Sequence, residues 1–149
     1  MKSQRGFTLI ELLIVVAIIG IIAAIAIPNL LSAINRGRQK RTMADIRSVG
    51  TSCETYAVDN GYVPNVAAGT VNAQLETYLE PTYIRSLPNL DGWKTSFHWE
   101  RSSTEYTIIS YGADRNEQDC GNNIQTTNFD CDICYSNGQF TQWPEGTQK

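Results

Sequence analysis

The longest uninterrupted pattern in the chain is a run of apolar side chains near its start. Sixteen consecutive residues, Leu12 to Ile27, have no charge, amide or hydroxyl group, and the wider stretch from Phe7 to Ile34 contains a single charge, Glu11. About 20 apolar residues are enough for a helix to cross a bilayer. β-branched residues dominate the run, but a lone strand in lipid leaves its backbone without hydrogen-bond partners. The pattern therefore predicts a membrane-spanning helix.

A second, amphipathic pattern follows this run. One apolar stripe recurs at three- and four-residue spacing: Ile46, Val49, Cys53 and Tyr56. Such spacing is typical of a helix that buries one face. The pair Asn60-Gly61 is a common stop signal for a helix. We therefore predict one helix from about residue 7 to about residue 60, which is apolar in its first half and amphipathic in its second.

The remainder of the chain contains turn residues and short β-prone runs. We predict a short helix from about Asn72 to Leu79, with Leu75, Tyr78 and Leu79 pointing inward. Residues 87–93 form a predicted turn. Three strands are predicted at 97–101, 105–111 and 138–143, the first two joined by residues 102–104. A small antiparallel sheet packed on the helix stripe would bury both apolar faces, so the expected fold class is α+β.

Charge is distributed unevenly along the chain. Up to residue 41 there are six basic residues and one acidic residue, a net of +5, whereas residues 42–149 hold six basic and fourteen acidic residues, a net of −8. Four of the basic residues cluster just after the apolar run: Arg36, Arg38, Lys40 and Arg41. This cluster can contact lipid headgroups or the acidic surfaces of neighbouring copies. Nucleic acid is a weaker alternative, because the acidic remainder would repel phosphate.

Glu11 is the residue that distinguishes this segment from a simple anchor. A carboxylate within a membrane-spanning segment costs about 2.5 kcal/mol or more, so its presence indicates a positive partner outside the segment. A signal peptide is the main alternative, yet signal peptides place a small-residue cleavage site after the apolar core. Here Gly6 precedes the core and no such exit follows it.

The N-terminal residues closely resemble those of type IV pilins and of the pseudopilins of type II secretion. The resemblance rests on Lys2, on Gly6-Phe7-Thr8-Leu9-Ile10-Glu11 and on the apolar run up to Pro28. It implies that a prepilin peptidase cleaves between Gly6 and Phe7 and that the new amino group of Phe7 is N-methylated. Four segments are then expected: a cleaved leader (1–6), the transmembrane or filament-core half of the helix (7–34), its amphipathic half (35–61) and a globular β head (62–149).

Pairing of opposite charges explains how Glu11 would act in assembly. The amine of Phe7 on an incoming subunit can pair with Glu11 of its neighbour, and losing one partner of a buried charge pair costs about 3–5 kcal/mol. Glu11 also lies one helical turn from its own Phe7, which is the alternative partner.

Two residues are expected to weaken the first half of the helix. Pro28 removes a backbone hydrogen bond, and Gly20 is a poor helix former. In the resembled family this stretch can loosen when subunits pack into a filament. A static kink at Pro28 is the alternative.

The head contains a weaker resemblance to the major pseudopilin of type II secretion. It rests on Asp91-Gly92-Trp93-Lys94 and on Ser110-Tyr111-Gly112-Ala113-Asp114. That family has a calcium-binding loop beyond the second motif, and oxygen donors in a mobile loop suit calcium. The candidate calcium ligands are Asp114, Asp119, Asp130 and Asp132. The alternative is a solvated acidic loop without a cofactor, and no other cofactor is expected.

The four cysteines are expected to oxidise in an extracytoplasmic compartment. They are Cys53, Cys120, Cys131 and Cys134. The expected arrangement is two structural disulfides, with Cys53 joined to one of the later cysteines so that the helix is tethered. A zinc site or a redox Cys-x-x-Cys motif is the alternative. The redox reading is disfavoured because residues 132–138 look like a strand and a turn.

These observations together predict a structural filament subunit and not an enzyme. His98 is the only histidine, and no nucleophile set or phosphate-binding loop is present. We expect a homo-oligomeric helical filament whose precursor lies in the bacterial inner membrane and whose partners are the prepilin peptidase and a pilus or type II secretion machinery. The main hypothesis is a subunit of a type IV pilus-like surface filament. The alternatives are a periplasmic pseudopilin that drives protein export and, less favoured, a membrane-anchored enzyme or binding protein.

Overall fold

The computed structural model of the protein describes residues 6–71, 73–102, 105–118, 120–121 and 123–146. The chain separates into two compact units, Met1–Ile34 and Asn35–Lys149. One helix, α1 (Leu9–Asn60), begins in the first unit and ends in the second. The predicted single helix from about 7 to about 60 is therefore confirmed.

In the second unit, α1 buries the predicted stripe. Ile46, Val49 and Cys53 are fully buried, and Tyr56 is nearly so. The helix ends where the sequence indicates: Gly61 adopts a positive φ of 81°, and its amide donates to the Ala57 carbonyl over 2.8 Å. This left-handed residue satisfies one of the terminal carbonyls of the helix, as a glycine cap does.

The head contains six short strands and one further helix. The helix α2 spans Ala73–Leu79 and buries Leu75 and Leu79, in agreement with the prediction. The strands are β1 (Gly69–Thr70), β2 (His98–Arg101), β3 (Tyr106–Ser110), β4 (Ile124–Thr126), β5 (Ile133–Ser136) and β6 (Gln139–Pro144).

The strands form one sheet in the order β1-β2-β3-β5-β6-β4. The predicted strands near 97–101, 105–111 and 138–143 correspond to β2, β3 and β6. The sheet is antiparallel, as expected, except at one edge, where β4 pairs with β6 in parallel. β4 belongs to the long connection between β3 and β5 and occupies the sheet edge next to β6. The fold class remains α+β.

Strand alternation divides the sheet into two faces. Trp99, Tyr106, Ile108, Ile133 and Tyr135 point to the face that packs on α1, and they belong to the main core. The residues between them on the same strands therefore point to the opposite, outer face. Cys134 is one of these outer-face residues. It forms a disulfide with Cys120, which lies in the connection between β3 and β5 (residues 111–132).

The Asp91-Gly92-Trp93-Lys94 motif lies in a turn that packs on α1. The Gly92 amide donates to Thr42 Oγ1 over 2.9 Å. A Cβ at position 92 would lie 2.5 Å from the Arg38 carbonyl oxygen, so only glycine allows this close approach. The motif therefore positions the head against the second half of the helix.

Candidate functional site

Three reciprocal hydrogen bonds between Thr8 and Glu11 form the N-terminus of the helix. Thr8 N and Thr8 Oγ1 donate to Glu11 Oε2 over 2.8 and 2.7 Å, and Glu11 N donates to Thr8 Oγ1 over 3.3 Å. This is a capping box, in which a side chain satisfies the backbone donor at each end of the first turn. Its sequence signal is Thr-x-x-Glu, which depends only on spacing within one turn.

The cap uses only one of the two carboxylate oxygens of Glu11. Oε2 is occupied by Thr8, whereas Oε1 has no hydrogen-bond partner among the described residues. Gly6 and Phe7 lie ahead of the helix and are exposed, Phe7 by 79% of its surface. Gly6 and Phe7, which flank the predicted cleavage position, are therefore exposed, and the Glu11 carboxylate lies in the first turn of the helix.

The large apolar side chains in the first half of α1 are exposed in the part of the chain that the structure describes. Every large hydrophobic residue from Phe7 to Ile34 is exposed, with values between 43% at Ile34 and 80% at Leu9. This segment is also long and apolar enough to cross a membrane. Exposing such a surface to water has a high free-energy cost, because isolated apolar residues are tolerated on a protein surface but a contiguous apolar face is not. Lipid or other apolar helices must cover it.

Helix geometry persists through the two predicted weak points. The helical assignment of α1 includes both Gly20 and Pro28. Pro28 has no amide hydrogen to donate to the Ala24 carbonyl, while the Asn29 side chain donates to the Ile25 carbonyl over 3.1 Å. The kink and the loosening of this stretch stay predictions.

The basic cluster after residue 34 is exposed. Arg36, Arg38, Lys40 and Arg41 all face solvent, and Arg41 forms an ion pair with Asp45 over 3.5 Å. Such an exposed i,i+4 pair stabilises the helix by about 0.3–0.5 kcal/mol. The main contribution of the cluster is therefore a positive surface.

The candidate calcium ligands are spread along the connection between β3 and β5. Asp114 is exposed and accepts hydrogen bonds from the amide and side chain of Asn116 over 3.0 and 3.2 Å. Asp130 is half-buried, and its carbonyl accepts from Gln118 Nε2 over 3.0 Å. Asp119 lies outside the described residues.

Asp132 is the buried member of this set. Its Oδ2 accepts from the Gln118 amide over 2.8 Å, and its Oδ1 is buried without a hydrogen-bond partner. Burial raises the pKa of the Asp132 carboxyl to about 6, opposed by the Gln118 amide and reinforced by Asp114 and Glu117. A cation would satisfy Oδ1, but the described residues contain no group of three side chains able to hold a metal ion. Calcium binding in this loop therefore stays a prediction.

The cysteines pair differently from the expected arrangement. Cys120 and Cys134 form a disulfide, whereas Cys53 and Cys131 are free. The expected bridge from Cys53 was wrong for a geometric reason. Tyr135 faces α1, so its neighbour Cys134 points to the outer face, away from Cys53. Burial raises the pKa of the Cys53 thiol to about 12.

His98 lies on β2 in a surface environment. Its Nε2 is 3.9 Å from Glu100 Oε1, and its ring centroid is 5.7 Å from that of Tyr111. A single histidine beside one carboxylate lacks a nucleophile to activate. The side chains around it provide no basis for assigning catalysis.

Comparison with known proteins identifies two family models that together cover most of the chain. Residues 1–27 match the prokaryotic N-terminal methylation motif, and residues 29–129 match type II secretion system protein G. No solved structure matches the chain significantly.

Several curated relatives have the same name, type II secretion system core protein G. The protein from Pseudomonas aeruginosa is 29% identical over 87% of this chain and 97% of its own length. The protein from Vibrio cholerae is 32% identical over 78% of this chain and 86% of its own. The protein from Escherichia coli is 29% identical over 75% and 83%. The similarity therefore includes both the apolar helix and most of the head.

Proposed function

Because this chain belongs to the type II secretion system protein G family, we propose that it is a pseudopilin that polymerises through its N-terminal helix into a periplasmic filament serving protein export. Between the two filament hypotheses, the family match favours the secretion pseudopilin over the surface pilus that was our main expectation from sequence. The observation that carries the proposal is the uncovered apolar half of α1, with Glu11 as its only charge.

The apolar half of α1 suits two successive states of the subunit, one inserted in the membrane and one packed in the filament. In the precursor, lipid of the inner membrane covers the exposed side chains. In the filament, the same side chains pack against helices of neighbouring subunits, as apolar helices do in bundles. The head then remains in the periplasm, where the Cys120–Cys134 disulfide is chemically favoured.

Leader removal would create the positive partner of Glu11. Cleavage between Gly6 and Phe7 yields an amine at Phe7, which N-methylation leaves cationic. The methylation-motif match at residues 1–27 supports this processing. The Oε1 atom, not used by the Thr8 cap, is the acceptor for the amine of an incoming subunit.

The partners follow from this cycle. They are the prepilin peptidase, further copies of this chain in a helical array, and the assembly machinery of type II secretion. The relatives are named as core proteins of a secretion system, which supports a structural role and not catalysis.

Deletion and two substitutions test the proposal. In a host with a type II system that uses this chain, deletion should abolish export of its substrates without removing surface fibres. Glu11→Ala should leave membrane insertion intact but prevent fibre formation by the overproduced subunit. Gly6→Ala should retain the leader, detected as an unchanged precursor mass. Normal export after deletion, with loss of surface fibres, would instead support the pilus hypothesis.

Processing and polymerisation are tested separately by the two substitutions. Gly6→Ala blocks the amine from forming, while Glu11→Ala leaves cleavage and methylation intact and removes only the acceptor. An N-terminal peptide beginning at methylated Phe7 in the Glu11→Ala protein would show that the defect arises after processing. Wild-type fibre yield from that protein would contradict the role of Glu11.

A further inference from the structure

An open groove runs along the second half of α1. Its volume is about 670 Å³, and α1, residues Tyr83 and Ile84, and β6 line it. Two smaller depressions adjoin it at the shared residue Met43, one toward Arg36 and Pro144 and one toward Trp143. We define the basic groove by the following residues: Arg36, Lys40, Met43, Arg47, Ile84 and Phe140.

The basic groove combines an apolar floor with three cations, and Glu145 is the one described carboxylate that lines it, in the depression beside Arg36 and Lys40. Met43, Ile84 and Phe140 are half-buried. Arg36, Lys40 and Arg47 are exposed and form no ion pair with a described carboxylate. The Arg47 guanidinium carbon lies 5.5 Å from the centroid of the Phe140 ring, which holds the cation beside the floor. Such a surface suits a partner that is acidic at its rim.

The same head has an acidic surface on the outer face of the sheet, opposite in charge to the basic groove. We define the acidic patch as Glu100, Tyr111, Asp114 and Glu117. Residues 114–118 are all exposed, and the negative charges of Glu117 and Glu100 add to burial in raising the pKa of Tyr111. The nearby cation Arg115 donates to the Trp93 carbonyl over 3.2 Å and forms no ion pair with a described carboxylate of the patch.

The two surfaces lie on different faces of the sheet. Phe140 pairs with Tyr135, whose ring packs on α1, so the basic groove is on the helix side. Glu100 and Tyr111 follow the inward residues Trp99 and Ser110, so strand alternation places them on the outer side. Two different, mutually complementary patches on one subunit produce head-to-tail contacts between copies. When the rotation between successive copies does not close a ring, such contacts generate an open helical filament.

We propose that the basic groove of one copy receives the acidic patch of another copy, forming a contact between heads in addition to the helix core. This inference rests on the proposed function, because it specifies how heads meet within the filament. The apolar floor excludes water, and the opposite charges set the orientation of the two heads.

Charge reversal in the full-length chain tests the contact. Lys40→Glu with Arg47→Glu makes the groove acidic, and Asp114→Lys with Glu117→Lys makes the patch basic. Each double variant should lower fibre yield about tenfold, since facing like charges costs at least that much in affinity. Combining all four substitutions should restore most of the yield.

Co-expression of the two double variants provides the sharper test. A groove made acidic can bind the basic patch of the other variant, and the unchanged groove and patch also match, so a mixture should form fibres at a clearly higher yield than either variant alone. Lys94→Glu, an exposed cation outside the groove, is the matched control and should assemble like the wild type.

Three outcomes would overturn the inference. Wild-type fibre yield from the groove variant would show that the groove is not used. If neither the combination of all four substitutions nor co-expression restores the fibre yield of the groove variant, the groove binds another partner. Loss of binding to vesicles containing an anionic phospholipid, without rescue, would identify that partner as the membrane surface. Thermal unfolding and the mass of the Cys120–Cys134 peptide exclude misfolding, and absence of fibres from the wild type would count against the proposed function itself.

Discussion

The ring of Tyr135 lies directly against Gly50, the point at which β5 contacts helix α1. A Cβ at position 50 would lie 2.2 Å from Tyr135 Cε1, closer than two carbon atoms can approach. Gly50 therefore sets the separation between helix and sheet. Tyr106 fixes the same region, because its hydroxyl lies 3.1 Å from the Gly50 carbonyl and 2.8 Å from Glu54 Oε1.

Replacing Gly50 with alanine should destabilise the head. The added methyl group must displace the Tyr135 ring in a packed core, and overpacking costs about 1–3 kcal/mol. Thermal unfolding of the full-length chain in detergent measures the effect. Gly37→Ala is the control, because it lies in the same helix with nothing within 4 Å of its Cβ position. It should be neutral or stabilising by up to about 1 kcal/mol. Equal melting temperatures for the two variants would contradict this account.

Asp91 is a second buried determinant of the head. Its Oδ1 accepts from the amides of Trp93 and Thr95 over 2.9 and 2.8 Å, and its Oδ2 accepts from Ser110 Oγ over 2.8 Å. Asp91→Ala would leave these donors without their acceptor, and we expect a loss of about 3 kcal/mol in urea unfolding.

Asp114→Ala is the matched control for Asp91, since Asp114 accepts two hydrogen bonds in an exposed turn. It should change the unfolding free energy by less than about 1 kcal/mol. A larger loss from Asp114 than from Asp91 would show that the turn on α1 does not depend on the buried carboxylate.

The Cys120–Cys134 disulfide should dominate the stability of the outer loop. The two cysteines are 14 residues apart, and closing a loop of this size constrains the unfolded chain by about 3 kcal/mol. Cys120→Ser should lower the melting temperature clearly, whereas Cys131→Ser should not, because Cys131 is free. We expect a reductant, and not a chelator, to reproduce the Cys120→Ser effect. A fall in melting temperature with chelator alone would instead support calcium in this loop.

The two free thiols should differ in reactivity. The thiolate is the reactive species, and burial raises the pKa of Cys53 to about 12, so at pH 8 Cys53 is protonated as well as inaccessible. Cys131 is half-buried and should be alkylated in the native protein, with Cys53 reacting only after unfolding. Mass spectrometry of alkylated peptides checks the order, and simultaneous labelling of both would contradict it.

Periodic patterns were the part of the structure that the sequence could predict. The stripe of Ile46, Val49 and Cys53 gave the buried face of α1, and Asn60-Gly61 marked its end. The sequence indicates β5 only as a strand-like segment before a turn, and in that turn Asn137 and Gly138 take positive φ angles. The short strands β1 and β4 were missed, because two or three residues carry no readable alternation and pair only through distant partners.

Contacts between residues on different strands could not be predicted from the sequence for a related reason. Which cysteine meets Cys120 depends on the face to which β5 turns Cys134, and that face is decided by packing of Tyr135 on Gly50. The same holds for the basic groove, whose floor joins residues from α1 and β6. The local signal Thr8-x-x-Glu11 was readable, since a capping box depends only on spacing within one turn.

The cap at Thr8 should contribute to assembly by orienting Glu11. Thr8→Val keeps the shape of the side chain but removes the hydroxyl that donates to Glu11 Oε2 and accepts from Glu11 N. Loss of a cap costs about 1 kcal/mol, so fibre yield should fall about fivefold, less than for Glu11→Ala. Thr8→Ser retains the hydroxyl and should assemble normally. Membrane insertion and the melting temperature of the head should not change in either variant. If Thr8→Ser were as defective as Thr8→Val, the hydroxyl would not be sufficient for the role of Thr8, because serine retains that hydroxyl and both of its hydrogen bonds to Glu11.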